Sequence, residues 1–152
     1  MLYRILLFVH VMAVIMWLGA GVVFQMLSER AGEDRDGSKM RRLAELGEEF
    51  GPGYFGGLTA TVLVSGVALV LEGNWGFDHV FVIGGLVGIL ISGGIGGAVI
   101  GPTSKRLLAA LEADGSPSDQ ARSDFGRIRS VGRIDLIVMV TVVYLMTVKP
   151  WE

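Results

Sequence analysis

The sequence predicts an all-α integral membrane protein. It reads as an antiparallel bundle of four transmembrane helices, with a cytoplasmic amphipathic helix and extended cytoplasmic ends on spans three and four. Three observations predict it. Residues 2–27 carry a single cation, Arg4, and no other formal charge; residues 51–71 carry none, and residues 80–100 carry none. Each run exceeds the roughly 18 apolar residues that mark a membrane helix, since about 20 residues at 1.5 Å each cross a hydrocarbon core of about 30 Å. A soluble domain of 152 residues has too little interior to bury three such runs, so the whole chain is read as one membrane domain, 1–152.

The first run begins MLYR and has no convincing small-residue cleavage site, so it is expected to be a retained span rather than a removed signal. The second and third follow directly from their lengths. The fourth element is weaker: residues 134–148 give only 15 mostly apolar positions and include Asp135. A re-entrant or interfacial helix is the alternative, but helical residues before Ile134 can lengthen the element, and local thinning can absorb a short apolar stretch. Tyr144, Lys149 and Trp151 at its far end suit the headgroup layer.

Charge orients the bundle. Residues 28–50 hold Arg30, Arg35, Lys39, Arg41 and Arg42, and residues 101–133 hold Lys105, Arg106, Arg122, Arg127, Arg129 and Arg133. The connection at 72–79 has no lysine or arginine. This asymmetry predicts connections one and three in the cytoplasm and both termini outside. The formal net charge of −2 says little about partners. The arginines suit anionic lipid, and no nucleic-acid motif accompanies them, so the bilayer is the expected partner and nucleic acid is not. With no cysteine, disulfides, haem thioethers and thiol chemistry are excluded.

In connection one, Met40, Leu43, Leu46 and Phe50 recur at helical spacing in SKMRRLAELGEEF. This predicts a short helix lying at the cytoplasmic interface, with Ser38 as its cap and Pro52 and its neighbouring glycines turning the chain into span two. In connection three, TSKRLLAALEAD continues span three, GSPSD interrupts it, and the following polar helix feeds span four. Glycine is abundant, with 23 copies. In span three, Gly84 and Gly88 are four apart, as are Gly93 and Gly97, which places small residues on helical stripes where backbones can approach. The stripes leave open packing within one subunit, a homo-oligomer or a larger membrane complex. GGIGG lacks the strand context and the lysine of a phosphate loop, so it is not a nucleotide fingerprint.

The chemistry centres on His10. His10 and Trp17 lie about 20° apart on a helix turning about 100° per residue, and Val14, Gly21 and Phe24 continue much of that face. The stripe suits a bundle interior, and an ionisable residue at that depth faces protein or a polar cavity rather than lipid. Tyr144, Lys149, His79, Glu72, Met12, Met16 and Met146 are the groups that can meet it from the same half. A histidine hydrogen-bonded across helices, a haem ligand, a copper site with methionine thioethers and a proton-handling group all remain open. Asp135 is expected near the cytoplasmic end of span four, interacting locally with Arg133 or Arg129 and remote from His10.

HVMAVIMWLGAG resembles the histidine-to-tryptophan first-helix motif of a family of small bacterial predicted integral membrane proteins. TVKPW, residues 147–151, is similar to that family's closing lysine-proline signature. The likeness covers nearly the whole chain, and a more distant one extends to the membrane domain of copper-resistance proteins and to the haem-binding protoporphyrinogen oxidase of bacteria. The resemblance implies four spans, as expected of a bacterial cytoplasmic membrane protein, and draws attention to His10 and Lys149; a haem b on His10 would need a pocket that includes Tyr144, Lys149 or His79 from the same half. Oxidase activity does not carry over, because the polar constellation of that enzyme is missing from the glycine-filled span three. The sequence is therefore read first as a non-catalytic assembly, accessory or interaction protein. A haem-linked redox protein using His10 and a small-molecule or copper transport component are the alternatives.

Overall fold

The computed structural model describes residues 1–33, 37–114 and 117–149. Among them the chain forms helices and no strand. Helix α1 (Leu2–Ala31) is followed by α2 (Ser38–Phe50), a π-helical segment (Gly51–Phe55) and α3 (Gly56–Glu72). Then come α4 (Val80–Gly94), a second π segment (Ile95–Ile100), α5 (Gly101–Asp114) and α6 (Asp119–Val148). Because α2 runs into α3 and α4 into α5, there are four long helices: Leu2–Ala31, Ser38–Glu72, Val80–Glu112 and Asp119–Val148. Each is long and apolar enough to cross a membrane. The expected four-helix bundle is present, and α6, unbroken over 30 residues, makes the fourth element a span rather than a re-entrant turn.

The helices stack up and down. Helix α1 packs mainly on α3, and α6 packs on α4, α5 and α1. The start of α1, Lys149 at the end of α6 and the connection around Trp75 therefore share one end of the bundle, called here the Lys149 end. The opposite end carries Glu29. Large apolar side chains such as Phe8, Val64, Leu90 and Ile137 stand two-thirds exposed on the outside, which is the surface that hydrocarbon covers.

There are two cores. One, in the membrane half, joins Ala13, Trp17, Val62, Ile89 and Met139. The other, at the Glu29 end, joins Ala31, Met40, Ala44, Leu107, Leu111, Ala121 and Phe125. The second core corrects an expectation. The helix SKMRRLAELGEEF does not lie flat on a lipid surface: it stands in line with α3 and turns Met40 and Ala44 onto Leu107 and Leu111 of α5. An amphipathic stripe reports an apolar face without saying whether lipid or protein covers it, and here protein does.

The cap and the turn differ too. Gly37, in the left-handed region at φ 78°, is the N-cap of α2, so Ser38 is its first helical residue rather than its cap. The working serine cap is Ser118, whose hydroxyl accepts from the Ala121 amide at 3.3 Å. Pro52 does not turn the chain. A proline lacks the N–H that continues an α-helix and crowds the carbonyl four residues back. A local widening of the turn relieves this, and both π segments occur beside a proline, Pro52 and Pro102.

The span-three glycines divide into two groups. A Cβ on Gly88 would collide with Val142, one on Gly85 with Met146, and one on Gly84 would touch Leu145 at 3.4 Å. These glycines seat α6 against α4 within a single chain. A Cβ on Gly93 would meet Thr59 of α3 at an ordinary 3.5 Å, one on Gly21 would just reach Leu136 at 4.0 Å, and one on Gly97 would meet nothing within 4 Å.

Candidate functional site

His10 is seated by α3. Residues of the α1 stripe turn inward, so that His10, Ala13 and Trp17 are buried while Met12 and Met16 point outward. His10 Nδ1 lies 3.1 Å from the Val62 carbonyl oxygen and 3.0 Å from Ser65 Oγ. The Ser65 hydroxyl donates back along its own helix to the Thr61 carbonyl at 2.5 Å. A carbonyl only accepts, so these partners assign the imidazole proton to Nδ1, which donates to Val62 and Ser65. Nε2 is then the ring nitrogen with an available lone pair. Gly66 makes the seat close: a Cβ there would stand 3.1 Å from His10 Cε1.

His10 lines a cavity of about 430 Å³ that runs between the helices from the Lys149 end to Ser92. Its walls are largely apolar, formed by residues such as Trp17, Val67, Leu86, Ile89, Val143 and Met146, with His10, Ser92 and Lys149 among the few polar groups. This is the usual construction of a small-molecule site, a mostly apolar cleft of roughly 300–1,000 Å³ with a few placed polar groups. At its mouth the Lys149 ammonium sits 4.6 Å from the Trp75 ring centroid and 4.5 Å from that of Phe81. Trp75, His79 and Phe81 meet edge-to-face. Lys149 itself adopts the left-handed backbone at φ 43° as the helix ends.

Of the residues expected around His10, the structure brings Lys149 and Met146 to the same cavity. His79 stands behind the mouth, in the aromatic cluster, with Nδ1 donating to the Gly76 carbonyl at 3.0 Å. Tyr144 is half exposed on the outer surface and does not line the cavity. Trp151 and Pro150, which complete the closing signature, lie outside the described residues. Val62, Ser65 and Gly66 were missed by sequence reasoning. The available signal was the serine–glycine pair inside an otherwise apolar span.

The polar group at the other end is also different from expectation. Arg133 does not pair with Asp135. Its guanidinium grips Glu29 of α1 with two hydrogen bonds, Nε to Oε1 and Nη2 to Oε2, both at 2.6 Å. Gln25 donates to Glu29 Oε1 at 2.6 Å, and Arg129 Nε stands 3.8 Å from Glu29 Oε2. A residue two positions along a helix is turned by about 200°, so Arg133 and Asp135 face different neighbours. Asp135 Oδ1 is buried without a hydrogen-bond partner among the described residues.

Residues 4–150 match the family model described as "Predicted integral membrane protein (DUF2269)". The chain belongs to this family. The match takes in His10, Trp17 and Lys149, and with the four long helices it makes the chain an integral membrane protein of the lipid bilayer. No curated protein and no solved structure matches the chain.

Proposed function

We propose that this member of the family is a non-catalytic accessory membrane protein that holds a small, mostly apolar molecule in the cavity beside His10. The observation that carries this reading is the cavity itself, with one oriented imidazole in its wall. The lining supplies apolar area, His10 Nε2 supplies one acceptor or ligating atom, and Lys149 supplies positive charge at the mouth. A molecule with a long apolar body and one polar or anionic end fits that distribution. By the distribution of loop cations, the mouth opens to the outside of a bacterial cytoplasmic membrane.

A second reading, haem b, is favoured by the hydrogen bonding of His10. Imidazoles that bind metals commonly donate their other ring N–H to a backbone carbonyl, which fixes the ring and the tautomer. The Nδ1 contact to Val62 supports such a role for Nε2. The residues fit the group: His10 would bind the iron, the apolar walls would hold the macrocycle, and Lys149 would offset a propionate. Bound there, haem would supply one-electron redox chemistry. Copper draws less support, because Met12 and Met16 face outward and leave Met139 and Met146 as the cavity's thioethers.

The test is an absorption spectrum of protein purified in mild detergent from cells that make haem, before and after dithionite, with a haem-to-protein ratio and an extraction of bound lipid-like molecules. A 1:1 chromophore lost in His10→Ala supports the haem form. A colourless protein that retains an extractable apolar molecule, again lost in His10→Ala, supports the broader form. A colourless protein whose extract is unchanged by His10→Ala overturns both.

A further inference from the structure

We infer that the cavity beside His10 is loaded sideways from the bilayer, through an opening between α1 and α6, and that its occupant is a single-chain amphiphile dissolved in the membrane. This rests on the reading that the cavity holds a ligand, and it adds the class of that ligand and its route. The walls of the cavity are unequal. Those from α3 and α4 are buried or half-buried throughout. The exposed lining residues are Trp75 and Phe77 at the Lys149 end, Leu7, Val11 and Ile15 of α1, and Thr147 of α6.

The phase of each helix locates the gap. Residues 18 positions apart on an α-helix are about five whole turns apart and point the same way. Leu7 is in phase with Gln25, and Val11 with Glu29. Those two bind α6: Gln25 donates to the Arg129 carbonyl at 3.3 Å, and Glu29 accepts both hydrogen bonds of Arg133. On α6, Thr147 is in phase with Arg129, which stands beside Glu29. The facing sides of α1 and α6 therefore meet at the Glu29 end and stand apart at the Lys149 end, with the cavity between them. The two helices part because each has another partner there. His10 ties α1 to α3 through Val62 and Ser65, while Gly85 and Gly88 seat α6 on α4.

Hydrocarbon faces this opening. Leu7, Val11 and Ile15 lie in residues 5–27, which carry no formal charge and have the length of a membrane span. Thr147 donates its hydroxyl to the Val143 carbonyl at 2.7 Å, so the edge on α6 is apolar as well. A polar solute from water would have to shed its hydration in lipid to enter here, whereas a chain already in the bilayer never leaves an apolar surrounding. Lys149, over Trp75 and Phe81, then meets an anionic head at the end of the cavity. A space of about 430 Å³ suits one chain rather than the two of a bilayer phospholipid.

The experiment uses the full chain in phospholipid nanodiscs and a dodecanoate carrying a diazirine near its tail, delivered through the bilayer and flashed with ultraviolet light at successive times. The expected result is labelling of the α3 and α4 wall, at Val67 and Leu86. Val11→Trp should reach the same final labelling severalfold more slowly, and Thr147→Trp, which narrows the other edge, should act alike. Both positions are exposed, so helical circular dichroism should stay unchanged. A diazirine-bearing butyrate, which stays in water, should leave that wall unlabelled. Loading of both variants at the wild-type rate, or labelling of the wall by the butyrate, overturns sideways entry and leaves the ligand reading standing. Dodecanoate labelling confined to the outer surface, with the wall untouched in wild type, overturns both. A dimer in the nanodisc that Val11→Trp breaks also refutes the inference, because a second copy would then cover the opening.

Discussion

Gly88→Ala adds one carbon where α4 packs tightly against Val142 of α6. The new Cβ would overlap Val142 Cγ2 and stand 3.4 Å from its Cβ and 3.7 Å from Cγ1. Val142 cannot swing aside cheaply, because a β-branched residue in a helix has one strongly preferred rotamer. Overpacking of this kind costs about 1–3 kcal/mol. Against it, alanine gains up to about 1 kcal/mol in helix propensity over glycine. Gly97→Ala takes the same propensity gain with nothing within 4 Å of its new carbon, so the two variants should differ by about 1–3 kcal/mol. The assay is reversible unfolding in mixed micelles, followed by helical circular dichroism. The double variant Gly88→Ala with Val142→Ala should recover most of the loss, since it removes the methyl that clashes. Gly88→Ala at least as stable as Gly97→Ala, or no recovery in the double variant, would refute the contact.

Three further outcomes follow from the same contacts. Ser65→Ala removes a hydroxyl partner of His10 and should cost about 1 kcal/mol in the same unfolding assay; no change would mean that Val62 alone holds the ring. Glu29→Gln should loosen α1 from α6 by weakening its bidentate pair with Arg133, and the effect should shrink as salt is raised, because the pair is partly exposed; a salt-independent loss would point to packing. For orientation, Ser38→Cys should be protected from an impermeant thiol reagent in intact cells while Asn74→Cys reacts, and the reverse pattern would invert the assignment.

The spans were legible because charge-free runs of membrane length leave a chain few other options, and α6 was recoverable once polar helical residues were allowed to lengthen it. The upright stance of α2 was not legible. Met40 and Leu43 mark an apolar face, but what covers that face depends on Leu107 and Leu111, far away in the chain. His10 stood out as a polar residue in an apolar helix, and its inward direction followed from its shared face with Trp17. Its partners did not, because the Val62 carbonyl is a backbone group with no signature in the sequence. Arg133 and Asp135 misled for a related reason: closeness along a helix suggests a pair, while two residues of separation send the side chains to opposite neighbours. Glu29, with Gln25 one turn before it on α1, was the signal that the arginines had another partner.

The central claim is that the cavity beside His10 holds a ligand, and native mass spectrometry of the protein released from mild detergent tests it most directly. Wild-type protein should carry one retained molecule per chain. The cavity-filling Val67→Phe, whose added ring occupies the same space, should lose it while keeping its helical content. A wild-type chain carrying only exchangeable bilayer lipid, with the same mass distribution as Val67→Phe, would contradict the account.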